Sequence, residues 1–403
     1  MDNHVTVTRR LARHMADVEL SGIRESFDTL AEWATRHPGE TTIPFHVGMP
    51  DFDTPPHIKE ALYQAVREGF VGYTASRGIT PLLEAIARKL DRDNAVVADP
   101  TRHIVVTCGA NEAVSAAMTA LLDPGDEVIF GDPAWPHYEA CLALVGARSV
   151  RCRLREEREF AMDPADVAKL WSPRTRMVII NSPHNPTGAV MSPGDVAEVA
   201  ALARDRGAWL LSDEAYERIV FDGTHVSPAS LPGMQDTVIT VGCLSKAYAM
   251  TGWRLGYLCG PAEVADAVNR VHLYTVSCAV SFVQKAAVAA LDGDQACVAS
   301  MVEAYRRRRD LLIGLLRTIP GVEVRTPPGA FYAFPNIRAL GRPSRELART
   351  LVEQAGVGLV HGSAFGPAGE GYLRVAYCCS EAAIREGVDR MRQVLFAPAR
   401  TRA

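Results

Sequence analysis

Lys246 stands in the run Ser245-Lys246-Ala247-Tyr248-Ala249-Met250-Thr251-Gly252-Trp253-Arg254-Leu255-Gly256-Tyr257, which places one amine and one guanidinium on a short loop. An amine can condense with a carbonyl to form an imine, and a guanidinium grips a phosphate through a fork of parallel hydrogen bonds that a lysine cannot make. The pair suits a small carbonyl compound that carries a phosphate, and pyridoxal 5'-phosphate is such a compound. A site for it also needs an acid for the ring nitrogen, further phosphate donors, a flat contact for the ring and a receptor for a substrate carboxylate.

The chain offers a candidate for each. Asp213 follows Trp209-Leu210-Leu211-Ser212, at the carboxyl end of a predicted strand, where open α/β sheets bind their ligands. A carboxylate there can keep the ring nitrogen protonated, and Tyr216 can donate to the ring's phenolic oxygen. An acidic cap on the next turn is an equally good reading of Asp213 alone. Asn185 lies in Asn181-Ser182-Pro183-His184-Asn185-Pro186-Thr187-Gly188, directly after the predicted strand 177–180. The following proline biases it to extended backbone, and its amide can reach the same oxygen. In isolation the segment reads more readily as a plain turn, and its context reverses that.

Gly109-Ala110-Asn111 occupies a strand-to-helix step, where free amides face an incoming anion and glycine permits close approach. With Ser245 and Arg254 these residues would form a phosphate cradle. Trp135 follows another predicted strand and can stack on a ring, although most tryptophans are core or interface residues. Arg374 sits inside the apolar run Tyr372-Leu373-Arg374-Val375-Ala376, where an unpaired charge is costly. Either it pairs with an acid or it receives a substrate α-carboxylate.

The elements that must hold these residues follow from periodicity. Residues 56–90 read as two helices around the turn-rich 72–78. Short apolar runs at 104–106, 127–130, 177–180, 209–211 and 238–241 alternate with helical stretches at 112–122, 138–145 and 196–206. This rhythm predicts a mostly parallel sheet between helices. Residues 262–291 read as one long helical region and 296–316 as a second long helix. Strands near 322–324, 330–334, 359 and 373–376 and helices over 344–354 and 381–395 complete a smaller α+β part.

At 403 residues, two domains are the natural division. Lys plus Arg (43) nearly balance Asp plus Glu (47), a formal charge of -4, so nothing draws the chain to nucleic acid or an anionic membrane, and small molecules are the expected partners. The 9 cysteines are scattered without metal-site or redox spacing, as suits a reducing cytoplasm. Residues 1–20 lack the pattern of a signal peptide, and no metal site is expected.

Taken in order, the motifs resemble the fold type I pyridoxal-phosphate family, specifically the class I/II aminotransferases related to aspartate aminotransferase. The resemblance runs from about Ser21 to Leu395. It rests on Gly48 in Val47-Gly48-Met49-Pro50-Asp51-Phe52, Tyr73, Gly109-Ala110-Asn111, Trp135, Asn185-Pro186-Thr187-Gly188, Asp213 with Tyr216, Ser245-Lys246, Gly252-Trp253-Arg254 and Arg374. The resemblance implies a large cofactor domain over 49–295 with a mostly parallel seven-stranded sheet. Residues 1–48 and 296–403 would form the small α+β domain. It implies that Lys246 forms the imine and shuttles a proton, and that Asp213 pairs with the ring nitrogen. Asn185 and Tyr216 would meet the phenolic oxygen, and Trp135 the ring face. Gly109, Ala110, Asn111, Ser245 and Arg254 would hold the phosphate, joined by Tyr73 from the neighbouring subunit of a homodimer. Arg374, Gly48 and Asn185 would bind the substrate.

Three positions depart from the family pattern: Cys243 for a usual Ser or Gly, Met49 for Glu or Gln, and His361 for proline. His361 is expected to be a surface substitution, with a substrate contact or an extra acid-base group as the alternative. Arg24 and Arg77 are candidates for recognising a side-chain carboxylate, and Phe331, Tyr332 and Tyr274 for an aromatic or other uncharged donor. The implied activity is transfer of an α-amino group to a 2-oxo acid. A lyase, cyclase or oxidase would use the same lysine and aspartate. A transcriptional regulator built on this fold would need a DNA-binding module, for which the segment before Ser21 leaves no room.

Overall fold

The computed structural model describes residues 12–396. Residues 1–11 and 397–403, part of the amino-terminal reading and of the expected small domain, lie outside the described ones. Among the described residues twelve strands occur in chain order: β1 Ile43–Pro44, β2 Ile104–Thr107, β3 Glu127–Asp132, β4 Arg148–Arg153, β5 Thr175–Asn181, β6 Trp209–Asp213, β7 Val238–Cys243, β8 Gly256–Cys259, β9 Tyr332–Ala333, β10 Val357–Gly358, β11 Val360–His361 and β12 Leu373–Ala376. Seven of them build the central sheet in the order β2-β8-β7-β6-β5-β3-β4. Only β8 runs against its neighbours β2 and β7.

Each inner strand is apolar on both faces because both are covered. Met177 and Ile179 of β5 pack with Leu211, Ile239 and the helix Ala110–Leu121 on one side. Val178 and Ile180, one residue out of phase, pack on the other side with the helices Thr80–Asn94, Pro193–Asp205 and Ser281–Asp292. The two-residue period of a strand produces this partition. It also makes near-continuous apolar runs the mark of a buried parallel sheet. In register, Asn181 lies beside Asp213 and Asp213 beside Val241, so the carboxyl ends of β5, β6 and β7 form one edge.

A second core joins β9, β12 and the helices Ala296–Leu316, Ser344–Ala355 and Glu381–Phe396. Ile43 and Phe45 belong to it, because β1 pairs in parallel with β10. The segment leading to Gly48 is thereby tied to the carboxyl-terminal part of the chain.

The structure corrects the sequence reading of the elements. Residues 262–291 are two helices, Ala262–Thr275 and Ser281–Asp292, interrupted where Ser277 takes a left-handed φ of 75°. No strand forms at 322–324; Glu323 makes only an isolated bridge to Asn336, and Pro327-Pro328 beyond it supply no amide donors to extend a ladder. Strands β4 and β8 were not expected. β4 is an edge strand whose arginines mask its apolar positions, and β8 follows the Lys246 loop. Among the described residues no helix is long and apolar enough to cross a membrane.

Candidate active site

A cavity of about 360 Å³ opens at the carboxyl edge of the sheet. It gathers Gly48, Ala110, Asn111, Trp135, Asn185, Asp213, Tyr216, Ser245, Lys246, Arg254 and Arg374. Asp213, the last residue of β6, is buried. Its Oδ2 accepts from the Tyr138 hydroxyl at 2.5 Å and its Oδ1 from the Ala215 amide at 3.2 Å. Burial pushes its carboxyl above the usual range, against the pull of the Tyr138 hydrogen bond. Next to it, Asn181 donates to the Asp213 carbonyl at 3.0 Å and accepts from the Asn185 amide at 2.9 Å. One asparagine therefore fixes both the Asp213 strand end and the Asn185 turn.

Lys246 is half-buried, and its Nζ donates to the Gly48 carbonyl at 2.9 Å. The ammonium lies 5.7 Å from the centre of the Tyr216 ring and 5.8 Å from that of Phe331. Burial lowers its pKa from the ordinary lysine value, because the charged form loses hydration. Cys243 faces the same cavity, and burial raises its thiol.

Arg374 is buried, with Nη1 donating to Asn185 Oδ1 at 3.2 Å and Nη2 to the His46 carbonyl at 2.8 Å. Its Nε has no partner, and no acid among the described residues pairs with it. The guanidinium instead lies over the rings of Tyr332 (4.5 Å) and Phe365 (5.0 Å). Of the two sequence readings for Arg374, pairing with an acid is therefore removed. A buried cation in this state is a receptor for an anion.

The phosphate candidates meet at one end of the cavity. Gly109 takes a φ of 84°, and a Cβ added there would lie 2.8 Å from Arg254 Nη2. Only glycine lets the guanidinium come this close. The helix Ala110–Leu121 begins here, so its first amides lack intrahelical acceptors and face the cavity. Glu112 Oε2 accepts the Cys108 amide at 2.5 Å and its Oε1 meets His272 Nδ1 at 2.6 Å, holding the turn. These donors, the orphaned Arg374 Nε and the exclusion of a side chain at Gly109 fit a phosphorylated ring with a carboxylate-bearing substrate.

The chain matches the profile of the family described as "Aminotransferase class I and II" over residues 40–391. It is 39% identical to aromatic-amino-acid aminotransferase 2 of Thermococcus litoralis over 96% of this chain and 98% of that protein. It is likewise 39% identical to aspartate aminotransferase of Pyrococcus abyssi, over 94% and 96%. The solved aspartate aminotransferase of Thermus thermophilus with maleate superimposes with a TM-score of 0.91 at 36% identity, covering 96% of this chain and 100% of that one. The chain is a class I/II aminotransferase. Its fold is accordingly the aspartate aminotransferase-like fold type I arrangement.

Within this aminotransferase, Tyr73 is 93% exposed and stands apart from the cavity of its own chain. Arg24 pairs with Asp28 on the surface, Arg77 is engaged by Asp266, and Tyr274 is exposed. None of the three lines the cavity. His361 is buried, contrary to the surface expectation; its Nδ1 meets Ser363 Oγ at 2.8 Å, burial lowers its pKa, and it does not line the Lys246 cavity. Met49 and Tyr332 do line it, as do Ile23, Phe27 and Val47. Tyr138 and Asn181 escaped the sequence reading because each acts on a neighbour in space that no local spacing announces.

Proposed function

We propose that this aminotransferase uses pyridoxal 5'-phosphate at the Lys246 cavity to move the α-amino group of an amino acid with an uncharged side chain, aromatic ones included, to a 2-oxo acid. The observation that carries the reading is the pairing, in one cavity, of a Lys246 amine softened by burial with a buried guanidinium, Arg374, that has no acid partner. Bound there, the cofactor would supply an aldehyde for exchange of the amino group and an electron sink for the substrate's α-carbon.

The chain's own residues account for the rest. Arg374 takes the substrate carboxylate bidentately, with Asn185 and the Gly48 backbone bounding the same space. Orientation by the fork directs the α-hydrogen towards Lys246, whose lowered pKa leaves a larger share of free amine to accept that proton. Asp213 holds a proton at the ring nitrogen through its ionised carboxylate, which Tyr138 stabilises. Asn185 and Tyr216 donate to the phenolic oxygen, and Trp135 covers the ring. The amides of Ala110 and Asn111, reached over Gly109, join Ser245 and Arg254 at the phosphate.

Ile23, Phe27, Val47 and Met49 surround the side-chain end of the cavity, and among the described residues its cationic lining besides Lys246 is Arg254 and Arg374. An apolar wall without a second guanidinium favours an uncharged donor. We further assign 49–295 to the cofactor domain and the described residues of 1–48 and 296–403 to the small domain, because most of the second core comes from outside 49–295. A homodimer follows from Tyr73, exposed beside Val71 on the loop before the helix Thr80–Asn94; Tyr73 would complete the phosphate site of the second copy. The nine free cysteines suit the cytoplasm.

The test mixes the cofactor-loaded enzyme with single amino acids. Stoichiometric loss of the aldehyde-form absorbance, reversed by a 2-oxo acid, is expected for uncharged donors. Turnover that leaves that absorbance in place would point to elimination or cyclisation, and a preference for aspartate would overturn the donor assignment. Lys246→Ala should abolish the reaction. Sedimentation as a monomer at full cofactor occupancy would remove the role of Tyr73.

A further inference from the structure

Tyr332 lies on β9, whose register sets it beside Ala376 of β12, two residues beyond Arg374. It touches three parts of the site at once. Its hydroxyl is 2.8 Å from that of Tyr216, its ring centre is 4.5 Å from the Arg374 guanidinium carbon, and a Cβ at Gly48 would collide with its hydroxyl. Tyr332 and Tyr216 are both buried.

Proton counting decides what this contact can do. Each phenol has one proton to give and lone pairs to receive. If Tyr216 gives its proton to Tyr332, it has none for the cavity; if Tyr332 gives, the Tyr216 proton is free to point inward. Burial raises both phenols, Tyr332 to about 12 and Tyr216 well above the usual value, so both carry their protons at neutral pH. Arg374 lies directly over the Tyr332 ring, and a cation there makes that hydroxyl the better donor.

We propose that Tyr332 is a positioning residue with two functions: its hydroxyl donates to Tyr216 and so turns the Tyr216 proton into the cavity, while its ring seats the carboxylate-binding guanidinium of Arg374. The relay rests on the reading of Tyr216 as donor to the phenolic oxygen. Two hydrogen bonds in series reinforce each other, so the Tyr332 hydroxyl strengthens Tyr216's grip without touching the cofactor. Gly48 is small because a side chain would evict the Tyr332 hydroxyl from this position.

The experiment is a spectrophotometric pH titration of the bound cofactor in wild type, Tyr332→Phe, Tyr216→Phe and the double variant, with donor kinetics on the first two and on Tyr332→Leu. Loss of the Tyr332 hydroxyl should raise the titration midpoint by about half to one pH unit, the worth of one neutral hydrogen bond. In the Tyr216→Phe background the same change should add nothing. Tyr332→Phe keeps the ring and should lower kcat while leaving the donor KM in place; Tyr332→Leu removes the ring and should raise KM about tenfold.

A midpoint that rises in Tyr216→Phe but stays or falls in Tyr332→Phe overturns the relay alone. A midpoint indifferent to Tyr216→Phe overturns the placement of Tyr216, and the relay with it. Equal shifts from Tyr332→Phe with and without the Tyr216 hydroxyl would show that Tyr332 acts by another route. Equal KM for the Phe and Leu variants would remove the seat for Arg374.

Discussion

Replacing Tyr138 with Phe should move the acid limb of the reaction. Tyr138 is buried and its hydroxyl gives Asp213 its shortest hydrogen bond, 2.5 Å to Oδ2; the other carboxylate oxygen keeps only the Ala215 amide at 3.2 Å. Burial raises the Asp213 pKa and the Tyr138 bond opposes that rise. A hydrogen bond to an ionised group contributes about 1.5–3 kcal/mol, which at about 1.4 kcal/mol per pH unit is an upward movement of roughly one to two units when it is deleted. Asp213 would then hold its own proton to higher pH and lose its ionic hold on the ring nitrogen. The measurement is the single-turnover half-reaction from pH 5 to 9, with circular dichroism to verify folding. The acid limb should move up while the alkaline limb stays. Because the folded Asp213 pKa lies above its unfolded value, apoprotein stability should fall as pH rises from the ordinary carboxyl range through the folded pKa, and in the variant this fall continues to higher pH. A folded variant whose acid limb coincides with wild type would falsify the idea that Tyr138 sets the charge of Asp213.

Asp213→Asn should raise the apoprotein Tm at alkaline pH, by removing a buried carboxylate, while slowing turnover about a hundredfold or more; an unchanged rate would place the ring nitrogen elsewhere. Arg374→Lys should lower kcat/KM for amino acids by about 10- to 100-fold, the loss of one charge-assisted fork. A simple amine without a carboxylate should react equally with both proteins, and an equal loss for that amine would show that Arg374 serves the fold rather than the carboxylate. Gly109→Ala combines a left-handed φ of 84° with a Cβ 2.8 Å from Arg254 Nη2. Strain of about 1–3 kcal/mol should weaken cofactor binding roughly tenfold or more in a fluorescence titration of the apoprotein, and unaltered affinity would remove Arg254 from the phosphate cradle.

What could be read from the sequence divides along physical lines. The strands β5, β6 and β7 were legible because a sheet covered on both faces writes continuous apolar runs, and the helices between them because their periodicity is 3.6. β4 was hidden by Arg148, Arg151 and Arg153, which an edge strand tolerates and a central one does not. The residues gathered at the cavity were legible because their settings are improbable for a purely structural role: Arg374 in an apolar strand, Asp213 at a strand end, Lys246 in a small-residue loop. Tyr138, Asn181 and Tyr332 touch those residues rather than announcing themselves. A tyrosine in an amphipathic helix, such as Tyr138 in His137–Val145, has every local reason to be there without Asp213, and only the fold brings the two together.

The polar contacts across the cavity also show why the site holds its shape before a substrate arrives. Lys246 Nζ bonds the Gly48 carbonyl, Arg374 bonds Asn185, and Tyr216 bonds Tyr332. In the first two pairs one partner follows a strand of the central sheet and the other comes from the segments packed on the second core, while Tyr216 and Tyr332 both belong to that core. A buried ammonium, guanidinium or phenol left without a partner would be costly, so these pairings hold the two sides at a set separation. They involve the same groups that the proposed function assigns to an amino acid substrate: the Lys246 amine at its α-hydrogen and the Arg374 fork at its carboxylate. Binding therefore exchanges hydrogen bonds already made for new ones rather than desolvating bare charges, and the partners released, Gly48 and Asn185, border the space the substrate fills. A substitution that weakens the Lys246 or Arg374 pair should loosen substrate binding even where the substituted residue never meets the substrate, whereas loss of the Tyr332 hydroxyl acts on the Tyr216 proton and leaves the donor KM in place.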